Sequence, residues 1–199
     1  MTARLEDAGD RLIVWNGNAG KRGALSPDLY GVLHDAFERA QEPRMRAVIL
    51  TSDHDFFCAG GDLNLLIERR RLSEPERCDK VELLHDLIHS IRSSPVPVIA
   101  AVKGGAAGAG MSLALACDFV IAEPGIKFTA SYVRAGLVPD GGLTATLARL
   151  LPRSLAMQIC VLAQPITSER MAELGAITAV TDDVIAGCLL YTSPSPRDA

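Results

Sequence analysis

Seven consecutive positions without a charge or polar group, Val96 to Val102 (VPVIAAV), run directly into a stretch of small residues, Lys103 to Ser112 (KGGAAGAGMS). A run this short, with no alternation, is the pattern of a strand covered on both faces, and such strands belong to parallel sheets flanked by helices. The rest of the chain supplies the helices and further strands. Arg11 to Trp15 reads as a strand. Ser26-Pro27-Asp28 starts a helix, with a hydroxyl cap, a first-turn proline and an acid near the positive end of the dipole. Leu29, Val32, Leu33, Ala36 and Phe37 then fall on one helical face, and Pro43 closes the segment. Ala47 to Leu50 follows as a short buried strand, and Glu82 to Ile91 as an amphipathic helix that stops at Ser93-Ser94-Pro95. A helix-like Leu113 to Ala116, a strand Phe119 to Ala122, and helices near Leu143–Leu150 and Ser154–Leu162 complete the alternation. The fold class this predicts is α/β with substantially parallel strands.

At 199 residues the chain suits one well-buried domain. A net charge of −4 makes no electrostatic case for nucleic acid or for an anionic membrane surface. No apolar stretch reaches the roughly 20 residues that span a bilayer, and charged residues are interspersed from the fourth position onward, unlike a secretory leader. The five cysteines are scattered without a CxxC pair, which favours buried reduced thiols over disulfides or zinc. Together these features favour the cytoplasm. Residues 189–199 (LLYTSPSPRDA) carry no amphipathic period and two Ser-Pro steps. They resemble translated sequencing-adaptor read-through, with a disordered terminus as the alternative, so the expected domain is 1–188.

Two glycine-rich segments each follow a strand: Phe56 to Leu63 (FFCAGGDL) and the stretch from Lys103. Small side chains let a ligand approach the backbone, and free N–H groups where a loop opens a helix can hold an anion or a developing oxyanion. A pair of such loops points to two donors converging on one carbonyl oxygen. A phosphate cradle of the GxxxxGK[ST] type is not present.

Four ordered segments make the chain resemble the crotonase (enoyl-CoA hydratase/isomerase) superfamily. They are Lys21 to Ser26 (KRGALS), Phe57 to Leu63, Pro97 to Gly104 running through the second glycine loop to Cys117-Asp118, and Gly136 to Gly142 (GLVPDGG). The resemblance implies a ββα spiral core in which two backbone N–H groups grip the carbonyl of a coenzyme A thioester. Carried over by position, those amides belong to Gly61 and Ala109. Ala59, Gly60, Asp62 and Leu63 line the coenzyme path with Gly108, and Arg22 and Ala24 stand at its outer end. For Arg22 a solvated surface charge is the alternative. The family also implies C-terminal helices that build a trimer or a dimer of trimers in the full-length protein, and the resemblance implies that this chain is truncated before them.

Hydratases of this family use two glutamates, and the matching positions here are Ser112 and Tyr132. Water addition needs two acids, so their replacement favours isomerisation. One carboxylate remains in register, Asp140, where family isomerases, including epoxyphenylacetyl-CoA isomerases, hold an acid. A single base suffices for a 1,3-shift of a double bond, with no cofactor beyond the substrate's own coenzyme A. Alternatively, Asp140 only shapes a Pro-Asp-Gly-Gly turn. Other readings are aryl-CoA dehalogenation, a hydratase-like activity, or an inactive acyl-CoA-binding protein. Asp62 reads as a helix cap and Asp118 as a structural acceptor. Ser112 lacks a GxSxG elbow for hydrolysis, and His85 and His89 lack a third metal ligand.

Overall fold

The computed structural model describes residues 2–192, with side chains to Leu189. The chain opens on an antiparallel pair, β1 (Ala3–Asp7) and β2 (Arg11–Asn16), and crosses through α1 (Pro27–Arg39) to β3 (Ala47–Ser52). The cap of α1 forms as the sequence requires, with the Leu29 N–H donating to Ser26 Oγ at 3.2 Å. β3 pairs parallel with β2, Arg11 opposite Ala47 through Asn16 opposite Ser52. Two helices follow, α2 (Leu63–Glu68) and α3 (Glu74–Arg92), and lead to β4 (Val98–Val102). The sequence reading begins this second helix eight residues late, at Glu82. Its true start is a capping box, in which the Glu76 carboxylate accepts from the Ser73 N–H at 2.8 Å.

After β4 come β5 (Ala106–Ala107), α4 (Ala109–Ala116), β6 (Phe119–Ala122) and β7 (Lys127–Thr129). The chain continues through α5 (Leu143–Leu150), α6 (Arg153–Leu162), β8 (Ile166–Thr167), α7 (Ser168–Glu173), β9 (Ala179–Val180) and α8 (Val184–Thr192). The main sheet runs β1-β2-β3-β4-β6-β9, parallel from β2 onward, and a smaller sheet runs β5-β7-β8. This is the expected α/β class. Every residue of β4 is fully buried because both faces are covered. Val98, Ala100 and Val102 join Leu29, Leu33, Leu87 and Ile91 in the larger core. Ile99 and Ala101 face Val184 and Cys188 of α8.

Four expectations need correction. The strand β1 is absent from the sequence reading because only Ala3 of its five residues is buried and no alternation marks it. The helix α4 begins four residues before Leu113, since its opening Ala-Gly-Met-Ser has no outward polar face to betray it: all eight of its residues are buried. Cys78 is exposed, unlike Cys58, Cys117, Cys160 and Cys188, which are buried free thiols. The segment read as a period-less tail starts inside α8, which continues to Thr192. From residue 193 that expectation lies outside the described residues. No described helix is long and apolar enough to cross a membrane.

Candidate active site

Each of the two glycine loops leaves the C-terminal end of a parallel strand, β3 or β4, and they lock together through backbone contacts. The Phe57 N–H donates to Lys103 O at 2.8 Å and the Ala107 N–H to Cys58 O at 2.9 Å. Gly60 sits so close to the second loop that a Cβ there would lie 2.8 Å from both Ala107 O and the Ala109 nitrogen. The first loop is held from its other side by the Ala59 N–H on Arg22 O (3.0 Å) and the Leu25 N–H on Gly60 O (2.8 Å).

This arrangement leaves two donors free. Ala109 is the first residue of α4, whose opening N–H groups have no intrahelical acceptor. Neither the Gly61 nor the Ala109 N–H enters a loop or cap hydrogen bond among the described residues. Both residues line one cavity of about 120 Å³, together with Ala59, Asp62, Leu63, Gly108, Tyr132 and Asp140. Its apolar wall comes from Leu25, Leu65, Leu66, Val81 and Leu84, and Tyr30 also lines it. Burial pushes the Tyr30 phenol up to about 12.

Asp140 enters from the loop between Ala135 and α5. The Tyr132 hydroxyl donates to its Oδ1 at 2.7 Å, and Ser112 Oγ lies 2.9 Å from the same hydroxyl. Ser112 Oγ also donates to the Asp140 main-chain oxygen at 3.1 Å. Thus Ser112 and Tyr132, which the sequence reading matched to the family's hydratase glutamates, converge on Asp140. Burial, then the neighbouring Asp140 charge, raises the Tyr132 phenol far above its ordinary value.

A second, shallower groove adjoins this cavity and shares Ala59, Gly61, Asp62 and Leu63 with it. Arg22, Ala24, Lys21 and Arg134 line its outer part. Arg22 adopts a left-handed backbone (φ 51°) and stacks its guanidinium over the Phe56 ring, 4.1 Å from the centroid. Gly60 alone of the sequence-derived set lines neither space; its role is the close backbone approach.

The secondary candidates resolve as structural. Asp62 caps α2 by accepting from the Asn64 N–H at 2.9 Å, and it pairs with Lys21, whose hydrogen bond holds the carboxyl below its ordinary value. Asp118 accepts from the Val98 N–H at 2.8 Å and ties β6 to β4. His85 takes part in a surface pair with Glu82, and no metal-ligand cluster occurs among the described residues. Sequence reasoning missed Tyr30, whose place on the second turn of α1 carried no motif.

The enoyl-CoA hydratase/isomerase family model matches residues 18–186. The chain belongs to this family. It is 37% identical over 169 residues to the "Probable enoyl-CoA hydratase" of Rhodobacter capsulatus, covering 81% of this chain and 60% of that protein. It is 34% identical to the 1,2-epoxyphenylacetyl-CoA isomerase of Escherichia coli K12, covering 80% and 62%. The crystal structure of an enoyl-CoA hydratase from Polaromonas sp. JS666 superposes with a TM-score of 0.91 at 40% identity, covering 95% of this chain and 75% of that one. The chain therefore spans about three fifths of the length of these two curated relatives. The crotonase-type fold expected from the four motifs is the fold observed.

Proposed function

We propose that this family member is an acyl-CoA isomerase that moves a double bond from the 3- to the 2-position of an enoyl thioester, with Asp140 as its base. The observation that carries this reading is the placement of one carboxylate, Asp140, that has no ion-pair partner among the described residues, in the cavity walled by the Gly61 and Ala109 amides. Asp62, the other carboxylate on that cavity, is committed to Lys21 and to the start of α2.

The thioester oxygen accepts from the two amides. Asp140 removes a proton from the α-carbon, the electron pair moves into a dienolate, and negative charge grows on the oxygen the amides hold. The protonated Asp140 then returns the proton at the γ-carbon, leaving the conjugated 2-enoyl product and the original carboxylate. Each donor of this kind is worth about 10²–10³ in rate. The outer groove with Arg22 and Ala24 suits the pantetheine and nucleotide of coenzyme A, and the reaction calls for no further cofactor. Exposed Met157, Val161 and Leu162 on α6 suit burial in an assembly, and the trimer or dimer of trimers is proposed for the full-length protein. The cytoplasm remains the proposed compartment.

Hydration is the second reading, favoured by the hydratase names carried by two of the matched proteins. Ser112 and Tyr132 weigh against it, because neither can activate water as a carboxylate does. The deciding experiment assays one preparation with a 3-enoyl-CoA and with a 2-enoyl-CoA. Isomerisation of the first with little water addition to the second supports the proposal. Efficient hydration overturns it.

A further inference from the structure

The Asp140 carboxylate sits on a loop that no regular element holds, between Gly136 and the start of α5. Its side chain would be free to turn were it not for two neighbours. Tyr132 Oη reaches Oδ1 at 2.7 Å, while Ser112 Oγ, from the buried helix α4, touches both Tyr132 Oη (2.9 Å) and the Asp140 main-chain oxygen (3.1 Å). The loop presses directly on that serine: a Cβ added at Gly141 would lie 2.9 Å from Ser112 Cβ. Among the described residues, Oδ2 receives no hydrogen bond.

We propose that Tyr132 and Ser112 are positioning residues that clamp Asp140 through Oδ1 and its main chain, so that Oδ2 alone faces the α- and γ-carbons of the bound thioester. This inference rests on the reading of Asp140 as base.

The donor count supports the assignment. A phenol and a hydroxyl offer one proton each. An ionised carboxylate only accepts, so the Tyr132 proton goes to Oδ1, and the Ser112 proton goes to the Asp140 main-chain oxygen, which places one donor on each end of the Asp140 residue. Burial keeps Tyr132 neutral, so it remains a donor throughout the cycle. Tyr132 and Ser112 are themselves fixed: both are buried, Ser112 within the fully buried α4. When Oδ2 takes up the α-proton, the clamp stays in place, and the same oxygen delivers the proton at the γ-carbon without rotation of the carboxyl group.

The test compares Tyr132→Phe, Ser112→Ala, Asp140→Asn and the double variant Tyr132→Phe/Asp140→Asn, with thermal unfolding recorded for each. Misplacing a reacting group by about 1 Å costs on the order of 10²-fold, so Tyr132→Phe should lower kcat about 10- to 100-fold with KM nearly unchanged. Ser112→Ala removes one neutral hydrogen bond and should lower kcat about 2- to 10-fold. If Tyr132 acts through Asp140, the double variant should be no slower than Asp140→Asn alone. Parental kcat in Tyr132→Phe, or an equal further loss in the Asp140→Asn background, overturns the clamp while leaving Asp140 as base. Parental kcat in Asp140→Asn overturns the base reading itself. If Tyr132→Phe fails to fold, Ser112→Ala, which leaves the phenol in place, decides: a loss of about 2- to 10-fold in kcat supports the clamp and parental kcat overturns it.

Discussion

Gly110 backs onto Cys58 so closely that a methyl group added at Gly110 would lie 2.1 Å from the Cys58 carbonyl oxygen. One residue before Gly110 is Ala109 and three after Cys58 is Gly61, so this contact sets the separation of the two free amides. Gly110→Ala should force the loops apart. Overpacking of a filled interior costs about 1–3 kcal/mol or more, which should appear as a lower midpoint in thermal or urea unfolding. Binding of an acyl-CoA should be lost in any fraction that remains folded. An unchanged midpoint would show that the loops can part without penalty.

Ligand recognition is testable before any turnover is measured. An acyl-CoA should raise the melting temperature, whereas the matching free acid should not, since the donors at Gly61 and Ala109 and the groove at Arg22 act together only on the thioester. Ligand at 100 times its Kd stabilises a native state by about 2.7 kcal/mol. Arg22→Ala should weaken that shift while leaving kcat near the parental value. Equal shifts with ester and acid would remove the acyl-CoA reading.

For the proposed base, Asp140→Asn keeps the shape and loses the proton acceptor. The isomerisation rate should fall about 10²–10⁴-fold, with thioester binding retained. Steady-state assays with a 3-enoyl-CoA read both quantities at once.

Alkaline titration gives a prediction independent of function. Tyr30 and Tyr132 both have raised pKa values in the folded protein, each mainly through burial. A raised folded value means that the stability held by the neutral phenol is intact below the ordinary value near 10 and is lost as pH climbs toward the folded value. At a pH near 11, ultraviolet absorbance should therefore report fewer tyrosinates than the three tyrosines of the sequence allow, with the rest appearing on denaturation. Three tyrosinates in the native protein at that pH would contradict the burial of this pair.

Much of this arrangement is legible in the residues because it depends on backbone and short motifs. The run Val96 to Val102 announces a doubly covered strand, and β4 is one. Phe119–Ala122 and Leu143–Leu150 match their elements in full, since apolar character or helical spacing marks both ends. The Asp62 cap and the Asp118 tie are also readable, being short-range or motif-bound acceptors. Elements with no burial pattern of their own were not: β1 exposes most of its residues, and β5, β8 and β9 are two residues long. Ser112 is the instructive miss. By position it reads as a vacancy left by a lost acid, and only the fold brings Tyr132 and Asp140, 20 and 28 residues away, to its hydroxyl.

In the proposed chemistry the two donors at Gly61 and Ala109 are main-chain atoms, whereas the base is a side chain. No exchange of side chain can delete an amide hydrogen, short of proline or a shift of the chain, but a single codon change erases a carboxylate. The capacity to polarise a thioester is thus a property of the loop path itself, held by backbone contacts such as Phe57 to Lys103. The reaction that follows is written in three replaceable positions, 112, 132 and 140. Changing what this scaffold does to its substrate should accordingly be far easier than changing what it recognises.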